Sequence, residues 1–295
     1  VSWHRASRFL HLSRGRAHLV DLGPIGPERG APILLLHGFL HSSWTWRKLI
    51  EPLAERGQRV LALDLYGYGL SEGPEPGEAL DLPCWRSWID EALAAIGVER
   101  LALAVGNSLG GAIALDLAHR FPTEHLALIN PLCASLRLPG LPFRFLGQPA
   151  LGGLFRLTAG QEAFNRRALR LTAFRDLPVD AEVLRGFSHL RRPDAHRVAC
   201  ASAASLRPIS KHVAALAPEL CARVPTLCLL GSRDRVLGRR YQRRLERVLD
   251  GARIVRLPDI GHCPQESDPE RVLSEFASLL RDSPGRGASE GDSSG

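Results

Sequence analysis

The chain has 295 residues, 45% hydrophobic and 23% charged, enough to bury one large core with a modest addition and ordinary for a globular protein. No window holds eighteen unbroken apolar residues, which excludes a helical membrane span, and the start VSWHRASRFLHLSRGR is too broken by Arg and His to be a signal-peptide core. The formal charge of +7 is carried almost wholly by Arg, with Lys only at 48 and 211, and no nucleic-acid motif accompanies it, so no nucleic-acid partner is expected.

Short apolar runs alternate with amphipathic stretches, the pattern of a mostly parallel α/β sheet. Residues 9–13 and 17–22 read as an opening hairpin. Strands follow at 33–36, 59–63, 101–105 and 126–130, separated by helices at 46–56, 85–96 and 109–119; Gly57 and Gly97 stop the first two. From about Pro131 to Pro218 no strand pattern occurs. A Pro/Gly-rich stretch, LPGLPFRFLGQPALGG, precedes arginine-rich helical segments. The alternation then resumes with a strand at 226–230, a helix at 236–249, a strand at 253–257 and a helix at 269–280. Residues 283–295 are a Gly/Ser-rich tail expected to be disordered. The expected organisation is therefore a core at 1–131 and 219–282, a helical cap at 132–218 and the tail. The cap would sit over the carboxyl edge of the sheet, where open α/β sheets place their ligands.

Cys84, Cys133, Cys200, Cys221, Cys228 and Cys263 show no C-x-x-C spacing. They read as reduced thiols of a cytoplasmic protein, with no disulfide frame and no zinc set. No metal or cofactor is expected.

The pattern G-x-S-x-G, which marks a nucleophile elbow, occurs four times, centred on Ser71, Ser108, Ser289 and Ser293. The elbow needs a strand before it and a helix after it. Ser289 and Ser293 lie in the polar tail. Ser71 leads into EGPEPGEALDLP, which cannot start a helix. Ser108 has both neighbours: LALAV before Gly106-Asn107-Ser108-Leu109-Gly110-Gly111, and AIALDLAHRF after it. Gly106 and Gly110 remove side chains where the turn crowds itself.

A serine hydroxyl needs a base to take its proton. Of eleven histidines, His262 follows the last strand through a short link, which puts it on a loop at the carboxyl edge. His4, His11, His119, His125, His189, His196 and His212 read as surface residues. The imidazole in turn needs a carboxylate to fix its tautomer. Asp234 lies just past the strand at 226–230, and the order Ser–Asp–His suits this arrangement. Asp259 is too close in sequence to His262, and Asp64 reads as a cap for the turn at 66–69. Two backbone N–H groups should hold a tetrahedral oxyanion: that of Leu109, directly after the serine, and that of Phe39 in the loop His37-Gly38-Phe39. His37 is expected to order that loop.

Five segments, LLLHGF, DLYGYGLSEG, VGNSLGG, LLGSRD and LPDIGHCPQES, occur in order and together resemble the α/β-hydrolase superfamily over residues 8 to about 282. The resemblance implies an eight-stranded, mostly parallel sheet with helices on both faces and a helical cap inserted before the strand at 226–230. It implies Ser108, Asp234 and His262 as nucleophile, acid and base, with Phe39 and Leu109 at the oxyanion hole. Haloalkane dehalogenases and epoxide hydrolases of this group carry Asp at the nucleophile position, so Ser108 argues against both. The G-N-S-x-G-G elbow is similar to that of carbon–carbon bond hydrolases acting on meta-cleavage products, although Cys263 stands where those enzymes often carry an aromatic residue. The expected function is hydrolysis of a carboxylic ester or similar small acyl compound. A carbon–carbon hydrolase, a cofactor-free perhydrolase and a non-catalytic binding protein on the same fold remain alternatives. Between 131 and 215 the chain holds 13 Arg/Lys and 5 Asp/Glu. Either these cations steer an anionic substrate toward an apolar pocket, or they face water.

Overall fold

A computed structural model describes residues 3–134, 161–171, 173–174 and 176–281. Eight strands form one sheet: β1 (Ser7–Leu12), β2 (Gly15–Leu22), β3 (Ile33–Leu36), β4 (Val60–Leu63), β5 (Leu103–Asn107), β6 (Leu126–Ile129), β7 (Thr226–Gly231) and β8 (Arg253–Leu257). Their spatial order is β1-β2-β4-β3-β5-β6-β7-β8. The hairpin β1–β2 and the pair β2–β4 are antiparallel, and every other pairing is parallel. Strands β3 to β7 are buried throughout, which explains their unbroken apolar runs: a parallel sheet covered on both faces has no polar side to alternate with. The edge strand β8 instead exposes Arg253 and Arg256, charges that discourage pairing with another chain.

Helices α1 (Arg47–Glu55), α2 (Leu82–Ala95) and α3 (Leu109–Arg120) belong to the first half of the chain. Between β6 and β7 lie α4 (Glu162–Leu171), α5 (Ala181–Arg185) and α6 (Ala195–Arg223), and no strand occurs among the described residues there. The second half closes with α7 (Gly238–Val248), α8 (Pro264–Ser267) and α9 (Pro269–Arg281). One sheet face packs on Trp85 and Trp88 of α2, Ile113 of α3, Ile209 of α6 and Leu245 of α7. The other packs on Leu49 and Leu53 of α1 and on Val272 and Phe276 of α9. The apolar stretches at 138–153 and the tail at 283–295 lie outside the described residues.

Two boundaries differ from the sequence pattern for identifiable reasons. Helix α2 starts three residues early because the Asp81 carboxylate accepts a hydrogen bond from the Cys84 N–H at 3.1 Å, with Pro83 in the first turn, where its missing N–H is harmless. Helix α6 runs unbroken through Pro208 and Pro218 to Arg223, past the residue expected to end the helical segment. Packing of Ile209, Val213, Ala217 and Leu220 on the core offsets the hydrogen bonds that the two prolines remove.

The segment between β6 and β7 is fastened to the rest of the chain by buried Arg47, which pairs with buried Glu266 and with the exposed Glu182 of that segment. Arg47 reaches Glu266 with Nη1 at 2.6 and 2.7 Å and Glu182 with Nε at 2.6 Å. Arg47 thus joins α1, α5 and α8 at one point.

Candidate active site

Strand β5 ends at Asn107 and α3 begins at Leu109, so Ser108 occupies the single-residue turn between them. Its backbone sits at φ 54° and ψ −114°, a region L-residues rarely adopt. Surrounding contacts enforce it. The Ser108 N–H donates to the Ile129 carbonyl at 3.0 Å, and its carbonyl accepts from the N–H groups of Gly111 and Leu132 at 3.0 and 2.9 Å. A side chain at Gly106 would place Cβ 2.1 Å from the Gly110 oxygen, and one at Gly110 would place it 2.1 Å from the Leu36 oxygen. The turn closes only with hydrogen at both positions. The other serines with this pattern differ. The Ser71 hydroxyl is buried and donates to the Asp64 carbonyl at 2.8 Å, and Ser289 and Ser293 lie outside the described residues.

The loop after β3 meets this turn. A Cβ on Gly38 would stand 3.2 Å from Ser108 Cβ. His37 bonds within this loop and to the one after β4: Nδ1 donates to the Gly38 carbonyl at 2.9 Å, while Nε2 accepts from the Leu65 N–H at 3.1 Å. Phe39 is half-buried in this loop. The Leu109 N–H opens α3, so it belongs to the first-turn amides that have no acceptor inside their own helix.

Asp234 and His262 meet. Asp234 Oδ2 lies 2.8 Å from His262 Nδ1, and both side chains are buried. Asp234 Oδ1 accepts from the N–H groups of Val236 and Leu237 at 2.8 and 3.1 Å. The carboxylate therefore anchors the turn into α7 and also faces the imidazole. Asp259 is exposed and pairs with Arg233 at 2.7 Å. Asp64 accepts from the Leu70 N–H at 2.9 Å, from the Ser43 N–H at 2.6 Å and from His18 at 2.7 Å. Burial raises its pKa, but these partners outweigh burial and bring it down to about 2.

The loop carrying His262 is tied to the serine turn through its backbone. Asn107 Nδ2 donates to the His262 carbonyl at 3.2 Å, and Asn130 Nδ2 donates to the same oxygen at 3.0 Å. Asn130 also accepts from the Gly231 N–H at 3.0 Å, so one amide links the ends of β6 and β7 to this loop. Among the described residues, Ser108 Oγ and His262 Nε2 are not hydrogen-bonded to each other.

Sequence reasoning missed three contacts from the segment between β6 and β7. The His262 N–H donates to the Ala173 carbonyl at 3.3 Å, and the Gly261 N–H donates to Asp176 at 2.8 Å. Cys263 is buried in a small apolar cluster with Phe174, Val179, Val183 and Phe187. No sequence signal pairs Asp176 with a glycine amide 85 residues away.

Two histidines read as surface residues are in fact buried. His125 is held by the Ala102 carbonyl at 3.0 Å, and His189 lies under the loop at 37–41, edge-on to Tyr68. Burial lowers the pKa of His37, lowers that of His41 well below its ordinary value and brings His189 down to about 3. In the unfolded chain these groups take up protons near pH 6.5, while in the fold they stay neutral to lower pH. Stability is therefore expected to fall as pH drops below about 6.5, by about 1.4 kcal/mol per pH unit for each such histidine. Urea melts between pH 7 and pH 4 check this, and His189→Phe should remove about one proton from the slope.

Several cations of the stretch 131–215 have local partners. Arg192 bonds Asp194 and the Ser71 carbonyl, Arg197 bonds the Pro74 carbonyl, and Arg166 bonds Glu162 and the Val179 carbonyl.

The sequence profile of the Alpha/beta hydrolase family matches residues 33–275. An uncharacterized protein of Mycobacterium tuberculosis is 28% identical over 264 residues, covering 83% of this chain and 73% of the relative. Haloalkane dehalogenase 2 of Mycobacterium bovis is 26% identical, covering 91% of this chain and 92% of its own length. Among solved structures, the carboxylesterase CesB of Bacillus subtilis superposes with a TM-score of 0.71 at 17% identity, covering 95% of each chain. At that identity the likeness is one of fold. Together, the profile match over most of the chain, the eight-stranded sheet and the strand–serine–helix turn identify this chain as a member of the alpha/beta hydrolase family.

Proposed function

We propose that the chain is a serine hydrolase that cleaves a carboxylic ester through an acyl-enzyme on Ser108. The observation that carries this reading is the strained Ser108 turn, with the Asp234–His262 pair on a loop tied to the neighbouring Asn107. With Asp234 ionised and facing Nδ1, the His262 proton sits on Nδ1 and Nε2 keeps its lone pair. Nε2 then takes the Ser108 proton as Oγ attacks the ester carbonyl. The tetrahedral oxygen receives the N–H groups of Leu109 and Phe39. His262 returns the proton to the leaving alcohol, and a water activated by the same nitrogen releases the acid and frees Ser108. The segment at 132–218 acts as the cap that shapes the acyl pocket. The local partners of Arg166, Arg192 and Arg197 favour a structural and solvated role for the cap cations over substrate steering. A serine at the nucleophile position separates the chain from the dehalogenase and epoxide-hydrolase chemistry in the names of several relatives.

A fluorophosphonate probe tests the reading directly. Intact-mass measurement should show one adduct per chain, mapped by digestion to the peptide containing Ser108. No adduct, or an adduct on another residue, refutes it. A series of p-nitrophenyl esters of increasing acyl length then defines the pocket.

A further inference from the structure

Helix α7 is amphipathic in an unusual way. Its inner face buries Tyr241, Gln242 and Leu245. Its outer face carries Arg239, Arg240, Arg243 and Arg247, all exposed, and exposed Arg235 lies in the turn that leads into it. At 100° per residue these four helical arginines span about 100° of the surface, and the fifth arginine of the helix, half-buried Arg244, lies beyond them. The only acid on the helix, Glu246, lies about 20° beyond the edge of this arc and pairs with Arg256 of β8. None of Arg235, Arg239, Arg240, Arg243 and Arg247 has an ion-pair partner among the described residues. A solvent-facing helix is ordinarily laced with opposite charges four residues apart, whereas here Arg239–Arg243 and Arg243–Arg247 are like-charge pairs at that spacing and cost the helix stability. The sequence thus holds a face that local folding disfavours, which points to a partner that compensates for it.

We propose that the outer face of α7 is a docking surface for an anionic phospholipid bilayer. Two observations favour a bilayer over a folded acidic protein. Four of the cations lie along one helix, rows four residues apart rising about 6 Å per step, which suits a flat array of headgroups. All five are guanidinium groups, whose planar fork pairs two-pronged with phosphate oxygens as it does with carboxylates. Val236, 37% exposed, adds an apolar side chain between Arg235 and the helix, where it can enter the headgroup region. A cluster of four to eight cations on an amphipathic helix is the general signature of attraction to anionic lipid. Arg235 follows Asp234 directly, so a docked bilayer lies beside the candidate site. This surface does not depend on the chemistry proposed for Ser108.

The test is co-sedimentation of the full chain with vesicles of phosphatidylcholine alone or with 30% phosphatidylglycerol. Binding is expected only to the anionic vesicles and should weaken steeply between 50 and 300 mM salt. Each arginine near an anionic leaflet multiplies partitioning about fivefold. The double variant Arg239→Glu/Arg243→Glu should therefore bind at least about 10²-fold more weakly. The control Arg29→Glu/Arg56→Glu makes the same change in net charge at exposed sites elsewhere and should stay within threefold of the parent. Hydrolysis of a water-soluble ester should be unchanged in both variants. Equal loss in the two variants would mean that binding follows net charge alone, and would overturn the proposal. So would absence of vesicle binding, or an α7-dependent affinity for a soluble acidic protein in preference to vesicles.

Discussion

Ser108→Ala is expected to lower kcat on any accepted ester by about 10⁴- to 10⁶-fold and to abolish reaction with the fluorophosphonate probe, with the fold unchanged. The substitution removes the oxygen that forms the acyl bond but leaves the turn, its hydrogen bonds and the candidate oxyanion donors in place, so residual turnover reflects binding and those donors alone. A companion variant sharpens the point. Ser108 holds φ 54° and ψ −114°, a conformation that costs a residue with a side chain about 1–3 kcal/mol and costs glycine little. Ser108→Gly should therefore be as inactive as the alanine variant while melting at the same or a higher temperature. Calorimetry beside stopped-flow or discontinuous assays measures both. Wild-type-like turnover in either variant would place the nucleophile elsewhere.

Asp234→Asn should lower kcat by about 10⁴-fold, with a parallel loss in the rate of probe labelling. The asparagine oxygen can still accept from the N–H groups of Val236 and Leu237, so the turn into α7 survives. The amide then turns its NH₂ toward His262 Nδ1, which must become an acceptor. The proton moves to Nε2, and the nitrogen facing the serine turn loses the lone pair with which it would act as base. A loss below tenfold would mean that another carboxylate orients the imidazole. Asp259, exposed and paired with Arg233, and Asp64, occupied by His18 and two backbone amides, are poorly placed for that.

The sheet was legible in the sequence because strands buried on both faces leave continuous apolar runs such as Ile33–Leu36 and Thr226–Leu230. The serine turn was legible because only glycine fits at 106 and 110. The contact of Asp234 with His262 was legible through chain order, since each follows a strand at the same sheet edge. The segment between β6 and β7 was less so. Its shorter helices pack on one another and on loops, which imposes no strict period, and α6, packed on the main core, overrides two prolines through that packing. The burial of His189 escaped notice because a single polar residue on a short helix looks the same whether water or Tyr68 faces it. The role of Asn130 was not legible in the sequence. Its three hydrogen bonds, with Gly231, Gly261 and His262, join residues 100 or more positions apart.

The two amides that Ala173 and Asp176 hold, at His262 and Gly261, give the proposed base an anchor outside the sheet. If the segment at 132–218 is the cap proposed above, a compound that seats its helices well would steady the imidazole, and one that wedges them apart would loosen it. Discrimination among substrates would then register as a difference in turnover number even where affinities match, and changes in that segment would read out as faults in proton transfer.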